Sequence, residues 1–341
     1  MKKRFLFLMF SFLLGLSLFV WVVQSVGWEA VREVFFIINT WQVLILLFLG
    51  LLTVSLEGLR WKEILKIENK KISFVDFFKL GVASFSINFF VPILFGSAEF
   101  LRGYFLKQKK NYSGLEITSS IIIDRIVGWT VDIIFVILGL FLFFYNTRKY
   151  PHDLLIKIGW VFLFLLFCLL FFYFRALKNI SIVKIFHKIF NSTTENKSIE
   201  VERGVFNFFR SPKKKIIKPF LLSFVKNLII CFKAWLLVLF LGETISFVFA
   251  VSIVAFTQLA IILPVPAILG SHEVMQVFAF NSSGLDSSVA VAFTMIDRGV
   301  SFLVALIGAF FLFKIGENFM KKYFIEKNNN SHYSNNHVQK N

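Results

Sequence analysis

One short pattern occurs twice in this chain, each time inside sequence apolar enough to enter a lipid bilayer. Pro92-Ile-Leu-Phe-Gly96-Ser97-Ala-Glu99 returns 174 residues later as Pro266-Ala-Ile-Leu-Gly270-Ser271-His-Glu273. After each copy an Asp-Arg pair opens a further apolar stretch, Asp124-Arg125 and Asp297-Arg298, at nearly the same offset. Hydrocarbon cannot hydrogen-bond a backbone, so Pro and Gly breaks are tolerated there only where protein or a polar cavity satisfies the freed groups. Apolar segments interrupted at corresponding places point to a membrane protein of two related halves, with a polar site where they meet.

Composition agrees. The 341 residues are 57% hydrophobic and include 48 Phe, with a mean hydropathy of +0.75. A soluble domain of this length needs far more polar residues to cover its surface. The formal charge of +17 raises the question of nucleic acid. The basic residues gather in loops between apolar runs, as topology signals do, rather than in a stripe with exposed aromatics. Nucleic acid is therefore excluded as a partner, and attraction to anionic lipid headgroups follows from the same charge.

The sequence predicts an all-α polytopic membrane protein. Apolar spans are expected at about 5–26, 41–58, 119–145, 158–174, 219–241 and 289–313, with two further apolar regions at 74–106 and 245–283 that carry the repeated pattern. The run after Met1-Lys2-Lys3-Arg4 is too long for a secretory h-region and lacks a small-residue cleavage site, so it is expected to stay as the first span. Lys and Arg flank the first patterned region on both sides: Arg60, Lys62, Lys66, Lys70 and Lys71 before, Arg102, Lys107, Lys109 and Lys110 at its end. A segment with both ends on the basic, cytoplasmic side enters and returns as a re-entrant hairpin. From Glu243 to Ser288 there is no Lys or Arg at all, which hangs the second hairpin from the outer face.

Residues 1–145 and 158–314 then form two halves of opposite orientation, six transmembrane helices plus two hairpins, an inverted-topology repeat. Both termini are expected in the cytoplasm of a plasma (inner) membrane. Loop 175–218 is too short for a catalytic domain, and 315–341, rich in Asn, Ser and His from about Lys327 onward, reads as a largely disordered cytoplasmic tail. Loop 146–157 is more basic than an outer loop should be. The simpler alternative is eight full crossings with both patterns in kinked helices.

Charged side chains in hydrocarbon cost roughly 2.5–3.5 kcal/mol each near the centre, so they mark partners or function. Candidate substrate-binding residues are Arg102, Arg125, Arg298, Glu99, Glu273, Asp124, Asp297, Lys233 and His272. The repeat pairs Glu99 with Arg125 and Glu273 with Arg298. These are either structural locks between each hairpin and the next helix, or partly neutralised arginines that take a phosphate with their forked donors. The helix breaks at Pro92, Gly96 and Ser97, and at Pro266, Gly270 and Ser271, would offer backbone N–H groups to an anion. Lys226 is expected to snorkel to the surface, Arg60-Trp61 to anchor at the interface, and Asn88 and Gln258 to bond between helices. Cys168 and Cys231 read as buried hydrophobes, and the histidines have no metal-ligand spacing. Neither metal, cofactor nor nucleotide motif is expected.

Arg60-Trp61, Pro92…Gly96…Glu99-x-x-Arg102, Asp124-Arg125 and Pro266…Gly270…Glu273, in that order and spacing, resemble the lysylphosphatidylglycerol synthase transmembrane-region family of flippase-like proteins. The likeness covers about residues 1–320. In members fused to a soluble aminoacyltransferase domain it implies synthesis and translocation of aminoacylated phosphatidylglycerol; this chain has no room for that domain, so translocation alone is implied. Here Gly96-Ser97-Ala98-Glu99 stands where the family commonly has Gly-Gly-Asp or Gly-Glu, and Ile268-Leu269-Gly270 is poorer in glycine than usual. The expected function is movement of a phospholipid or lipid-linked anionic substrate between leaflets, with membrane lipids and envelope-biosynthesis enzymes as partners. An intramembrane lipid-modifying enzyme using Asp132, Glu273 or His272, and a non-transporting envelope scaffold, are the alternatives.

Overall fold

The computed structural model of the chain describes residues 29, 37–66, 73–90, 97–108, 112–147, 152–184, 195–262 and 271–338. Among the described residues every regular element is an α-helix: α1 (Thr40–Lys66), α2 (Phe74–Phe90), α3 (Ser97–Gln108), α4 (Gly114–Thr147), α5 (His152–Lys178), α6 (Glu195–Phe209), α7 (Lys213–Phe240), α8 (Phe247–Ile262), α9 (Ser271–Ser282) and α10 (Ser287–Val338). The all-α expectation holds. Helices α1, α4, α7 and the Ser287–Lys314 part of α10 are long and apolar enough to cross a bilayer, where four of the spans were expected. The expected span 158–174 lies within α5, and the one at 5–26 falls outside the described residues.

Each patterned region is a pair of shorter helices. At 1.5 Å per residue the 12-residue α3 and α9 extend only about 18 Å, short of a hydrocarbon core of about 30 Å. Helix α3 packs on α2, and α9 on α8. Pro92, Gly96, Pro266 and Gly270, between the members of each pair, lie outside the described residues, as does the side chain of Ser97.

The helices that follow each pair start in matching ways. At α4, Ser113 and Glu116 form a capping box: the Ser113 N–H donates to Glu116 Oε2 at 2.7 Å, and the Glu116 N–H donates to Ser113 Oγ at 3.2 Å. At α10, 173 residues further on, Asp286 Oδ1 accepts from the Ser288 N–H at 2.8 Å and the Ser288 hydroxyl at 2.9 Å. Those two bonds, the backbone one foremost, hold the Asp286 carboxyl below the usual carboxylate range.

Packing repeats the same correspondence. Helix α1 lies against α2 and α4, as α7 lies against α8 and α10; α2 packs on α10 as α8 packs on α4; and α1 and α7 pack on each other. Exchanging α1–α4 for α7–α10 leaves this set of neighbours unchanged. The closest crossings use glycine. A Cβ on Gly139 of α4 would sit 2.6 Å from Ala255 Cβ and Val251 O of α8, and one on Gly308 of α10 would sit 2.2 Å from Val82 O of α2. Small residues at such crossings let backbones approach where no hydrophobic effect drives helices together. The Ser252 hydroxyl adds a bond to Gly139 O at 2.9 Å.

Between α7 and α8, and around α4, the interior is aromatic and aliphatic, with Phe143 edge-on to Phe256 at 4.7 Å. Helix α5 stands at the edge and exposes Trp160, Leu163, Phe164, Phe167, Leu170 and Phe174, a surface compatible with lipid rather than water. Cys231 is buried as expected, but Cys168 on α5 is exposed, because α5 has so little packed against it. Helix α6, inside loop 175–218, turns Val205, Phe206, Phe208 and Phe209 onto α4 and α5. It is tied down by the Ser119 hydroxyl bonding Val201 O at 3.2 Å, and Glu202 accepts the N–H groups of Ile182 and Val183 at 2.6 and 3.0 Å.

Gly308→Leu and Gly139→Leu should each lower stability in detergent by about 1–3 kcal/mol or more, the usual range for overpacking. Gly159→Leu, with nothing within 4 Å of its Cβ, should leave the unfolding temperature unchanged. Equal melting of all three would contradict the close crossings.

Candidate functional site

The charged residues inside the helices form three linked clusters, each drawing its members from different helices. Asp124 of α4 is 1% exposed. Arg60 of α1 grips it with Nε on Oδ1 at 2.7 Å and an Nη on Oδ2 at 3.2 Å, while Arg102 of α3 donates to Oδ2 at 3.0 Å. Two forked donors on one carboxylate use the planar geometry that lysine lacks. The remaining donors are also placed: Arg60 to Ser223 Oγ at 3.1 Å and Arg102 to Ser84 Oγ at 3.4 Å, with the Arg102 guanidinium 5.3 Å from the Trp61 ring. The absence of a side chain at Gly128 makes room for Arg60, since a Cβ there would lie 3.0 Å from its Nη1. Beside this group Arg125 of α4 pairs with Glu99 of α3.

The second cluster bridges the halves. Asp132 of α4 accepts from Lys226 Nζ at 3.1 Å and Asn227 Nδ2 at 2.8 Å, both on α7. Lys226 also reaches Glu57 of α1 at 3.6 Å, and Gln258 of α8 donates to Asn227 Oδ1 at 3.2 Å. Two turns further along α7, about 10 Å at helical rise, the third cluster begins. Lys233 pairs with Asp297 of α10 at 2.7 Å, and Arg298 pairs with Glu273 of α9 at 3.3 Å. Glu273 is fully buried. Glu57, Glu99, Asp124, Asp132, Glu273 and Asp297 thus face Arg60, Arg102, Arg125, Lys226, Lys233 and Arg298. The sum of their charges is zero.

The pairings Glu99–Arg125 and Glu273–Arg298 are those the repeated pattern expects. Other expectations fail. Arg60 is buried on Asp124 rather than anchored at an interface, because Asp124 inside hydrocarbon needs a cation that its neighbour Arg125 cannot supply from the next position on the helix. Lys226 is 7% exposed and held by Asp132 instead of snorkelling. Arg125 and Arg298 each meet one carboxylate, while Arg60 and Arg102 share Asp124. Glu57 was overlooked in the sequence, although its place three residues before Arg60 on one helix was the available signal. Ser271 is buried at the start of α9, and His272 next to it has a buried Nε2 without a hydrogen-bond partner among the described residues. Asn88 is exposed. No group of three or more His, Cys, Asp or Glu capable of holding a metal occurs among the described residues.

Asp124→Asn should strand two buried guanidiniums and cost about 3–5 kcal/mol. Lys233→Met should cost less, because Asp297 keeps a side-chain exposure of 26%. Thermal unfolding in detergent reads the difference, and equal losses would contradict the contrast in burial.

Comparison with known proteins places the chain in a family. The chain is 24% identical over 318 residues to a UPF0104 membrane protein of Methanocaldococcus jannaschii, covering 89% of this chain and 92% of that protein. It is 26% identical over 292 residues to a UPF0104 membrane protein of Pyrococcus horikoshii, covering 80% and 86%. No solved structure matches. Residues 8–308 match the family described as lysylphosphatidylglycerol synthase TM region, and with so much of its length matched the chain, an integral membrane protein, belongs to that family.

Proposed function

We propose that this protein moves a phospholipid or lipid-linked anionic substrate between leaflets by alternately exposing the charged chain at the meeting of its two halves. The main support is that chain itself: six carboxylates and six basic groups, paired across helices α1, α3, α4, α7, α9 and α10. Stability alone is a weak reason to bury them, since well-packed apolar side chains often replace a buried ion pair without loss.

In this reading the halves are inverted in the membrane, α2–α3 and α8–α9 are the re-entrant hairpins, and both termini face the cytoplasm of an inner membrane. The basic Lys62 and Lys66 at the end of α1 and Lys213-Lys214-Lys215 at the start of α7, against the Lys- and Arg-free Glu243–Ser288, support that orientation. Because the interior is neutral, a substrate phosphate has to take an arginine from its carboxylate. Arg125, whose side chain is 36% exposed, and Arg298, at 23%, are the most accessible guanidiniums for the exchange. Each pairs a short helix with a long one, so exchange would free α3 from α4, or α9 from α10. That is a route from headgroup binding to a change of access. Membrane lipids are the proposed partners, with envelope-biosynthesis enzymes supplying or consuming the substrate.

Reconstitution into liposomes with fluorescent phospholipids or polyprenyl phosphates tests the proposal. Movement without chemical change is the expected result; chemical change would point to an enzyme. Arg125→Gln should slow movement about tenfold or more, the loss of one charge-assisted contact, with folding retained. A scaffold reading has one observation in its favour, that every one of these arginines is already paired. If Arg125→Glu is rescued fully by Glu99→Arg, the pair is only a lock and that reading prevails.

A further inference from the structure

The two halves carry corresponding polar residues, and at one place the correspondence breaks. Arg60 and Lys233, Ser84 and Thr257, Asp124 and Asp297, and Arg125 and Arg298 are each 173 residues apart, and Glu99 and Glu273 are 174 apart. Arg102, on the same helix as Glu99, corresponds to Gln276 at 174. In the first half Arg102 joins Ser84 to Asp124, with bonds of 3.4 and 3.0 Å. In the second half Gln276 keeps only the first of these links: its Nε2 donates to Thr257 Oγ1 at 2.6 Å and to Ile253 O at 3.1 Å.

Those two bonds set the direction of the amide, so its oxygen is the end turned away from α8. That Gln276 Oε1 is buried and has no hydrogen-bond partner among the described residues, on a side chain 1% exposed. One turn earlier on α9, the buried His272 Nε2 likewise has no hydrogen-bond partner among the described residues. Asp297 pairs with one cation among the described residues, Lys233, where Asp124 pairs with two. A glutamine ends well short of an arginine's reach, so Gln276 brings no guanidinium to the place that Arg102 fills in the first half. An orphaned buried acceptor is costly unless something donates to it.

We infer that the second half holds a site for a monovalent metal cation, sodium being the probe of choice, between the Gln276 amide oxygen and the Asp297 carboxylate. The ion stands where Arg102 stands in the first half. Oxygen donors with one carboxylate suit a hard, singly charged ion. The inference rests on the transport reading only for its consequence: a cation gradient would then drive a protein that has no nucleotide-binding motif.

The test is thermal unfolding of the purified full chain in detergent, with NaCl replaced stepwise by N-methyl-D-glucamine chloride at constant ionic strength. The wild type should show a saturable rise in unfolding temperature with sodium, as for any ligand bound only by the folded state. Gln276→Met removes the acceptor at nearly constant volume and should lose the response. Gln276→Arg restores the tethered cation, and should unfold at a temperature independent of sodium. A wild type indifferent to sodium would overturn the site, leaving ordered water as the partner of Gln276. A sodium response that survives in Gln276→Met or Gln276→Arg would overturn it too. Wild-type titration needs no variant to fold. Sodium binding without lipid movement in liposomes would sink the transport reading alone, and lipid movement by a sodium-blind protein would sink only the cation site.

Discussion

An ion in hydrocarbon must find its counter-ion on another helix, and the architecture of this bundle follows from that constraint. Asp124 and Arg125 are adjacent on α4, so they face different directions and cannot serve each other. Asp124 therefore draws in Arg60 from α1 and Arg102 from α3, while Arg125 draws in Glu99. Three helices are located by one dipeptide. Asp297 and Arg298 do the same on α10, recruiting Lys233 of α7 and Glu273 of α9. Lipid offers helices little reason to associate, so such pairs and the glycine crossings decide which helix lies beside which.

The duplicated plan has diverged at its centre. Lys226, Asp132 and Glu57 join α7 to α4 and α1, yet the positions corresponding to them in the other half are Thr53, Ala305 and Ile230. Arg102 has become Gln276, and Ala98 has become His272. Backbone packing keeps its correspondence through all of these changes, and so do the two Asp-Arg dipeptides that recruit the flanking helices. Two similar frames thus carry dissimilar polar interiors.

How much was legible follows from the range of each interaction. The duplicated pattern exposed the pairs Glu99–Arg125 and Glu273–Arg298, since both members recur together at nearly the same offset. Arg60 was misread because a basic residue followed by Trp near the end of a span ordinarily marks an interface; nothing local says that Asp124 lies beside it. Lys226 was misread because nothing near it in the sequence says that Asp132 and Glu57 lie beside it. Helix α6 escaped notice within a basic loop, although Val205, Phe206, Phe208 and Phe209 form a usable apolar face.

From the residues alone came membrane insertion, helical class, the repeated pattern and the helices that would carry charge. Hydrophobicity and repeated spacing are properties of short stretches, readable without knowing what lies alongside. Which cation meets which carboxylate, how deeply each is buried, and that their charges sum to zero were decided by tertiary structure. Those outcomes depend on contacts between residues 22 to 169 positions apart, such as Arg102 with Asp124 and Glu57 with Lys226, and Coulombic attraction over a few ångströms leaves no periodic trace along the chain.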